Sequence, residues 1–103
     1  MKGAAPKRKG SSYERELVKA AEQAGLVAKR AWGSNGQALG ESEGVDAVIA
    51  GVRVQAKRRA RIACWLKPPL GCDVVAVRED RGETYYVVPA QMFYSLLAKQ
   101  GES

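Results

Sequence analysis

The stretch VDAVIAGVRVQAK, residues 45–57, constrains the fold more than any other part of the chain. Val52, Val54 and Ala56 alternate with Arg53, Gln55 and Lys57, the period of a strand that covers one face and exposes the other. Ala50 and Gly51 separate this run from the β-prone Val45–Ile49, so the spacing predicts a hairpin with a two-residue turn. Closing the turn there pairs Ile49 with Val52 and Ala47 with Val54, and lays Asp46 across from Gln55, about 5 Å apart at Cβ. Lys57 follows on the face of Gln55, about 7 Å along the strand. The hairpin therefore gathers a carboxylate, an amide and an ammonium at its open end.

What chemistry such a cluster can support is limited by what the chain lacks. It has no histidine and only two cysteines, Cys64 and Cys72. Zinc-finger spacings, imidazole acid/base catalysis and Ser-His-Asp triads are thereby excluded, which leaves carboxylates, amides, lysines or a metal. Whether the two cysteines pair is open, and with no secretory apolar segment a reduced cytoplasmic setting is expected. No apolar run approaches the ~20 residues that cross a bilayer, so no membrane partner is expected. With 17 Lys and Arg against 11 Asp and Glu, the formal charge of +6 favours a polyanionic partner, a solvated basic surface being the alternative. At 103 residues the core can be only modest, and a dimer is expected before a monomer.

Along the chain, residues 1–10 (MKGAAPKRKG) lack hydrophobic periodicity and read as a flexible basic arm with Lys7, Arg8 and Lys9, ahead of a single domain over residues 11–103. Ser11 and Glu14 match a capping box, Leu17, Val18, Ala21 and Ala24 form an apolar stripe, and Gly25 is a natural helix stop. Glu14 falls within that stripe. It can close the capping box, or present a carboxylate to a site beside the sheet, and the two roles are compatible. Residues 33–44, GSNGQALGESEG, read as a long glycine-rich loop.

Arg58, Arg59 and Arg61 extend Lys57 into a cationic ridge suited to phosphates, or else form a solvated strand end. IACWLKPPLG reads as a short helix or irregular turn stopped by Pro68 and Pro69, and two strands follow around the turn EDRG. A terminal helix is expected to bury Met92, Phe93, Leu96 and Leu97. Trp65, Tyr85, Tyr86, Phe93 and Tyr94 are expected in the core or a dimer interface, with stacking on unpaired bases as the lesser option. The expected architecture is α/β, a central mixed five-stranded sheet from residues 26–32, 45–50, 52–59, 72–78 and 83–88, flanked by helices.

Lys9-Gly10, Glu14-Arg15-Glu16-Leu17, Arg30, Gly33-Ser34, Asp46 and Gln55-Ala56-Lys57, in that order and spacing, resemble the archaeal-type Holliday junction resolvases of the PD-(D/E)XK nuclease superfamily. The resemblance spans roughly residues 9 to 59. It implies a small restriction-endonuclease-like fold and a homodimer that hydrolyses phosphodiester bonds in four-way DNA junctions. By the same resemblance Glu14, Asp46, Gln55 and Lys57 are the catalytic positions. Asp46, Gln55, the Ala56 carbonyl and Glu14 would hold Mg²⁺, with Mn²⁺ able to substitute. Arg15, Arg30 and Ser34 fall on DNA-contacting positions, and Lys7, Arg8, Lys9, Arg58, Arg59 and Arg61 add phosphate contacts.

Gln55 departs from the pattern, which has glutamate there. A neutral ligand weakens the hold on Mg²⁺ unless a carboxylate compensates, Glu14 first and then Glu41 or Glu43. The segment after Lys57 is also shorter than these resolvases usually carry, which bears on dimer geometry. Other expectations of the same kind are a flap, nick or duplex nuclease of the superfamily, or a DNA-binding relative without turnover. The setting implied is the cytoplasm of a prokaryote or of a phage-infected host.

Overall fold

In a computed structural model, which describes residues 4–30 and 44–102, the chain begins with helix α1, Ala4–Gln23. The helix starts seven residues before the predicted cap. Ser11 is therefore at an interior helical position and not at the N-cap, and Lys7, Arg8 and Lys9 fall within the helix range. Pro6 is compatible with this early start, because a proline in the first turn removes an N–H that has no intrahelical partner. Along the predicted stripe Glu14 and Ala21 are buried and Leu17 and Val18 half-buried, whereas Ala24 is exposed. The helix ends where the glycine predicts. Gly25 takes φ +87°, its N–H donates to the Glu22 carbonyl (2.9 Å), and Leu26 N–H donates to the Ala21 carbonyl (3.0 Å), a Schellman close.

Strands β1 (Ala28–Arg30), β2 (Ala47–Ile49) and β3 (Val52–Val54) form an antiparallel sheet in the order β1-β2-β3. The hairpin register is the predicted one, with Ile49 opposite Val52 and Ala47 opposite Val54. Ala50 and Gly51 make its turn, at φ 49° and 84°, the paired left-handed conformations whose twist matches that of the strands. On the other side of β2, Ala28 pairs with Ile49 and Arg30 with Ala47. α1 packs against this sheet, so its buried face is made by the helix and the small residues Ala28 and Ala47 beneath it.

The second half corrects the expected single sheet. A 3₁₀ turn at Cys64–Leu66 precedes Pro68 and Pro69, and β4 (Val75–Val77) pairs antiparallel with β5 (Tyr85–Val87) as a separate two-stranded sheet. The five strands thus form two antiparallel sheets, and no parallel pair occurs among the described residues. The reason lies between them. β3 stops at Val54 and not at Arg59, the chain then carries five exposed cations, and the two prolines cannot donate to a ladder, so β4 is not delivered to the edge of β3. The EDRG turn forms as expected, with Gly82 N–H donating to the Glu79 carbonyl (3.1 Å).

Helix α2, Ala90–Glu102, returns to the first layer. It buries Tyr94 and Leu97, with Met92 and Phe93 half-covered and Leu96 exposed, so its inner face is rotated from the expected one. Ala21, Ala28, Ile49, Tyr94 and Leu97 form the core cluster, in which α1, the first sheet and α2 meet. Cys64 and Cys72 are exposed free thiols. Among the described residues no helix is long and apolar enough to cross a membrane.

Candidate functional site

The open end of the β2–β3 hairpin is where the sequence places its polar cluster, and the local backbone explains how the cluster is held. The regular ladder ends at the Ala47–Val54 pair. One step further Asp46 N–H donates to the Val54 carbonyl at 2.8 Å, and the Asp46 carboxylate reaches across the hairpin, its Oδ2 accepting the Ala56 N–H at 2.7 Å. A charge-assisted bond of this length fixes the Asp46 side chain and leaves its second oxygen and the Ala56 carbonyl for other partners. Asp46 is half-buried, so it is not turned into the apolar interior.

Gln55 and Lys57 flank Ala56 and are exposed. The Gln55 side chain lies on the Asp46 side of the hairpin: a β-carbon built on Gly44, two residues before Asp46, would stand 3.6 Å from Gln55 Nε2. The hairpin register thus sets Asp46 beside Ala56 and on the side of Gln55, and Lys57 follows on irregular chain past the end of β3.

Glu14 approaches from the helix layer. It is 4% exposed, the one buried charged residue among those described. Its Oε1 accepts a hydrogen bond from Arg30 Nε at 3.2 Å, an ion pair between α1 and β1. Arg30 is paired with Ala47, the neighbour of Asp46, so the guanidinium that binds Glu14 stands on the strand next to the one that Asp46 precedes. Burial of Glu14 without such a partner would be costly, and Arg30 supplies it. Glu14 is thus turned toward the sheet, where its carboxylate is engaged by Arg30. That Arg30 answers it could not be read from local spacing.

Arg15 is exposed on α1, and Arg58, Arg59 and Arg61 are exposed on irregular chain after Lys57. Lys7, Arg8 and Lys9 lie on the first half of α1. Ser34, with Glu41 and Glu43, lies outside the described residues. Among the described residues no three Asp, Glu, Cys or His side chains gather as a metal cluster.

An open cleft of about 600 Å³ adjoins the hairpin end. Gln55, Ala56 and Lys57 line one side, and Tyr13, Tyr86 and Phe93 are among the residues on the others. From the sequence, Tyr86 and Phe93 are expected mainly in the core or an interface, and Tyr13 is given no role.

The family model described as archaeal Holliday junction resolvase (hjc) matches residues 5–54, which are 50 of the 103 residues. This bears out the resemblance carried by Glu14, Arg15, Arg30 and Asp46. It ends one residue before Gln55. No curated protein and no solved structure matches the chain.

Proposed function

We propose that this chain, similar over residues 5–54 to the archaeal Holliday junction resolvase family, is a metal-dependent DNA endonuclease that cuts four-way junctions as a homodimer. A nuclease acting on junctions is what the family implies. The observation that supports the finer reading is the Asp46–Ala56 hydrogen bond, which holds a carboxylate at the hairpin end against the segment that carries Gln55 and Lys57.

The donor atoms there are all oxygens: Asp46 Oδ1, the Gln55 amide oxygen and the Ala56 carbonyl. That set suits a hard cation such as Mg²⁺ (or Mn²⁺) that keeps several waters, and Glu14 adds a second carboxylate if Arg30 yields it. Bound there, such an ion would polarise a phosphate oxygen and acidify a water molecule. Lys57 orients the attacking water and offsets the negative charge that grows on the phosphate as the bond to it forms. Arg58, Arg59 and Arg61, exposed beside Lys57, hold the DNA backbone through phosphates and carry no sequence preference. Two symmetric cuts in a junction need two such sites at fixed separation, hence a two-fold dimer.

A second reading, a DNA-binding relative without turnover, is favoured by one feature. Gln55 is neutral and Glu14 is engaged by Arg30, so among the described residues Asp46 supplies the only uncommitted carboxylate at the hairpin end. One assay separates the two. The purified protein is incubated with a mobile four-way junction, a flap and a linear duplex, in Mg²⁺ or in chelator, beside Asp46→Ala and Lys57→Ala. Paired symmetric nicks on the junction alone are expected, lost in chelator and reduced at least about a hundredfold in both variants. Tight binding with no cut in any divalent metal overturns the nuclease proposal.

A further inference from the structure

The cleft beside the hairpin has a composition that neither the family likeness nor the phosphate chemistry uses. Its volume of about 600 Å³ lies within the roughly 300–1,000 Å³ of small-ligand sites. Among the described residues its lining includes no carboxylate and one cation, Lys57. Tyr86 and Val88 face it from one side of the β5 strand and its extension, while Tyr85 belongs to the opposite side by strand alternation. Tyr86 is 66% exposed, so its ring is not spent on the core. Phe93 is half-buried behind it, with its ring centroid 6.3 Å from that of the buried Tyr94, and Tyr13 stands on the α1 side.

A cleft lined by aromatic residues and one ammonium is complementary to a nucleobase whose phosphate is held by that ammonium. The cleft is also continuous with the hairpin end, since Gln55, Ala56 and Lys57 belong to both. From this continuity and charge complementarity we infer that the cleft is a subsite for an unpaired nucleobase flanking the phosphate at Lys57, stacked on Tyr86. The inference rests on the nuclease reading for the position of the phosphate. A base in intact duplex is already stacked and cannot enter, so the subsite selects DNA whose bases are free at the point of attack, such as the open centre of a junction.

The test uses an immobile four-way junction carrying 2-aminopurine at the branch point, bound in chelator to the full chain. Binding is followed by mobility shift, and cleavage is assayed separately in Mg²⁺. Stacking is expected to quench the fluorescence with the native chain and with Tyr86→Phe. In Tyr86→Ala the quench is lost and junction affinity falls about fivefold, while affinity for a linear duplex is unchanged. Junctions bound and cut without quenching, or quenching that survives Tyr86→Ala, overturn the subsite and leave the nuclease standing. Quenching that depends on Tyr86 with no cut in any metal keeps the subsite and removes the nuclease. Tyr86 is mostly exposed, so the alanine variant is expected to fold, which circular dichroism checks. If sedimentation instead shows that Tyr86→Ala splits a dimer into monomers, the cleft is an interface between copies and the inference falls.

Discussion

Gln55 is a residue whose chemistry can be set against its geometry. Its amide lies on the Asp46 side of the hairpin, where a carboxylate would add one negative charge without changing the length of the side chain. Gln55→Glu is expected to lower the Mg²⁺ concentration for half-maximal cleavage about tenfold, since ligand charge tunes affinity for hard cations. A metal titration of the cleavage rate measures this, and an unmoved midpoint removes Gln55 from the ligand set. The pairing that sets Asp46 across from Gln55 was legible in the sequence because a two-residue turn fixes every pairing behind it. The Arg30–Glu14 pair was not: the partners are 16 residues apart on different elements, and nothing in local spacing joins a helix to a strand across that distance.

The hairpin that carries the site depends on a turn with an unusual residue. Ala50 sits at φ 49° and Gly51 at φ 84°, and the first of these is strained for a residue with a β-carbon. Ala50→Asn is expected to stabilise the chain by about 0.5 kcal/mol and Gly51→Ala to destabilise it by about 1 kcal/mol, as read from urea midpoints at constant m. The space around Gly51 is open, so the cost there is conformational and not steric. Elements defined by turns and stops were read correctly, the hairpin and the Gly25 helix end among them. α1 starts before the Ser11 cap that the Ser-x-x-Glu signal predicts, because the helix-forming Ala, Lys and Arg residues ahead of it extend the helix. β3 was drawn too long for a related reason. Alternation continues through Lys57, but Asp46 spends its backbone and side-chain groups on Val54 and Ala56 and ends the ladder.

At the scale of the whole molecule the expected five-stranded sheet is two smaller ones, a matter of long-range delivery that strand patterns do not encode. The consequence is a thin core: no large side chain among those described is fully buried, and Ile62, Trp65, Leu70 and Tyr85 are exposed. Covering such surface is the physical reason to expect a homodimer. Sedimentation equilibrium at micromolar concentration is expected to give twice the chain mass, and Trp65→Ser to shift it toward the monomer. Between the two sheets runs an exposed, irregular strap with Lys57, Arg58, Arg59 and Arg61 in sequence. Trypsin should nick the free protein first at this strap, parting the chain into one fragment with the hairpin and another with β4, β5 and α2. Because the same cations are the proposed seat of the DNA backbone, a bound junction should shield them, and the rate of that first nick becomes a footprint of where the nucleic acid lies.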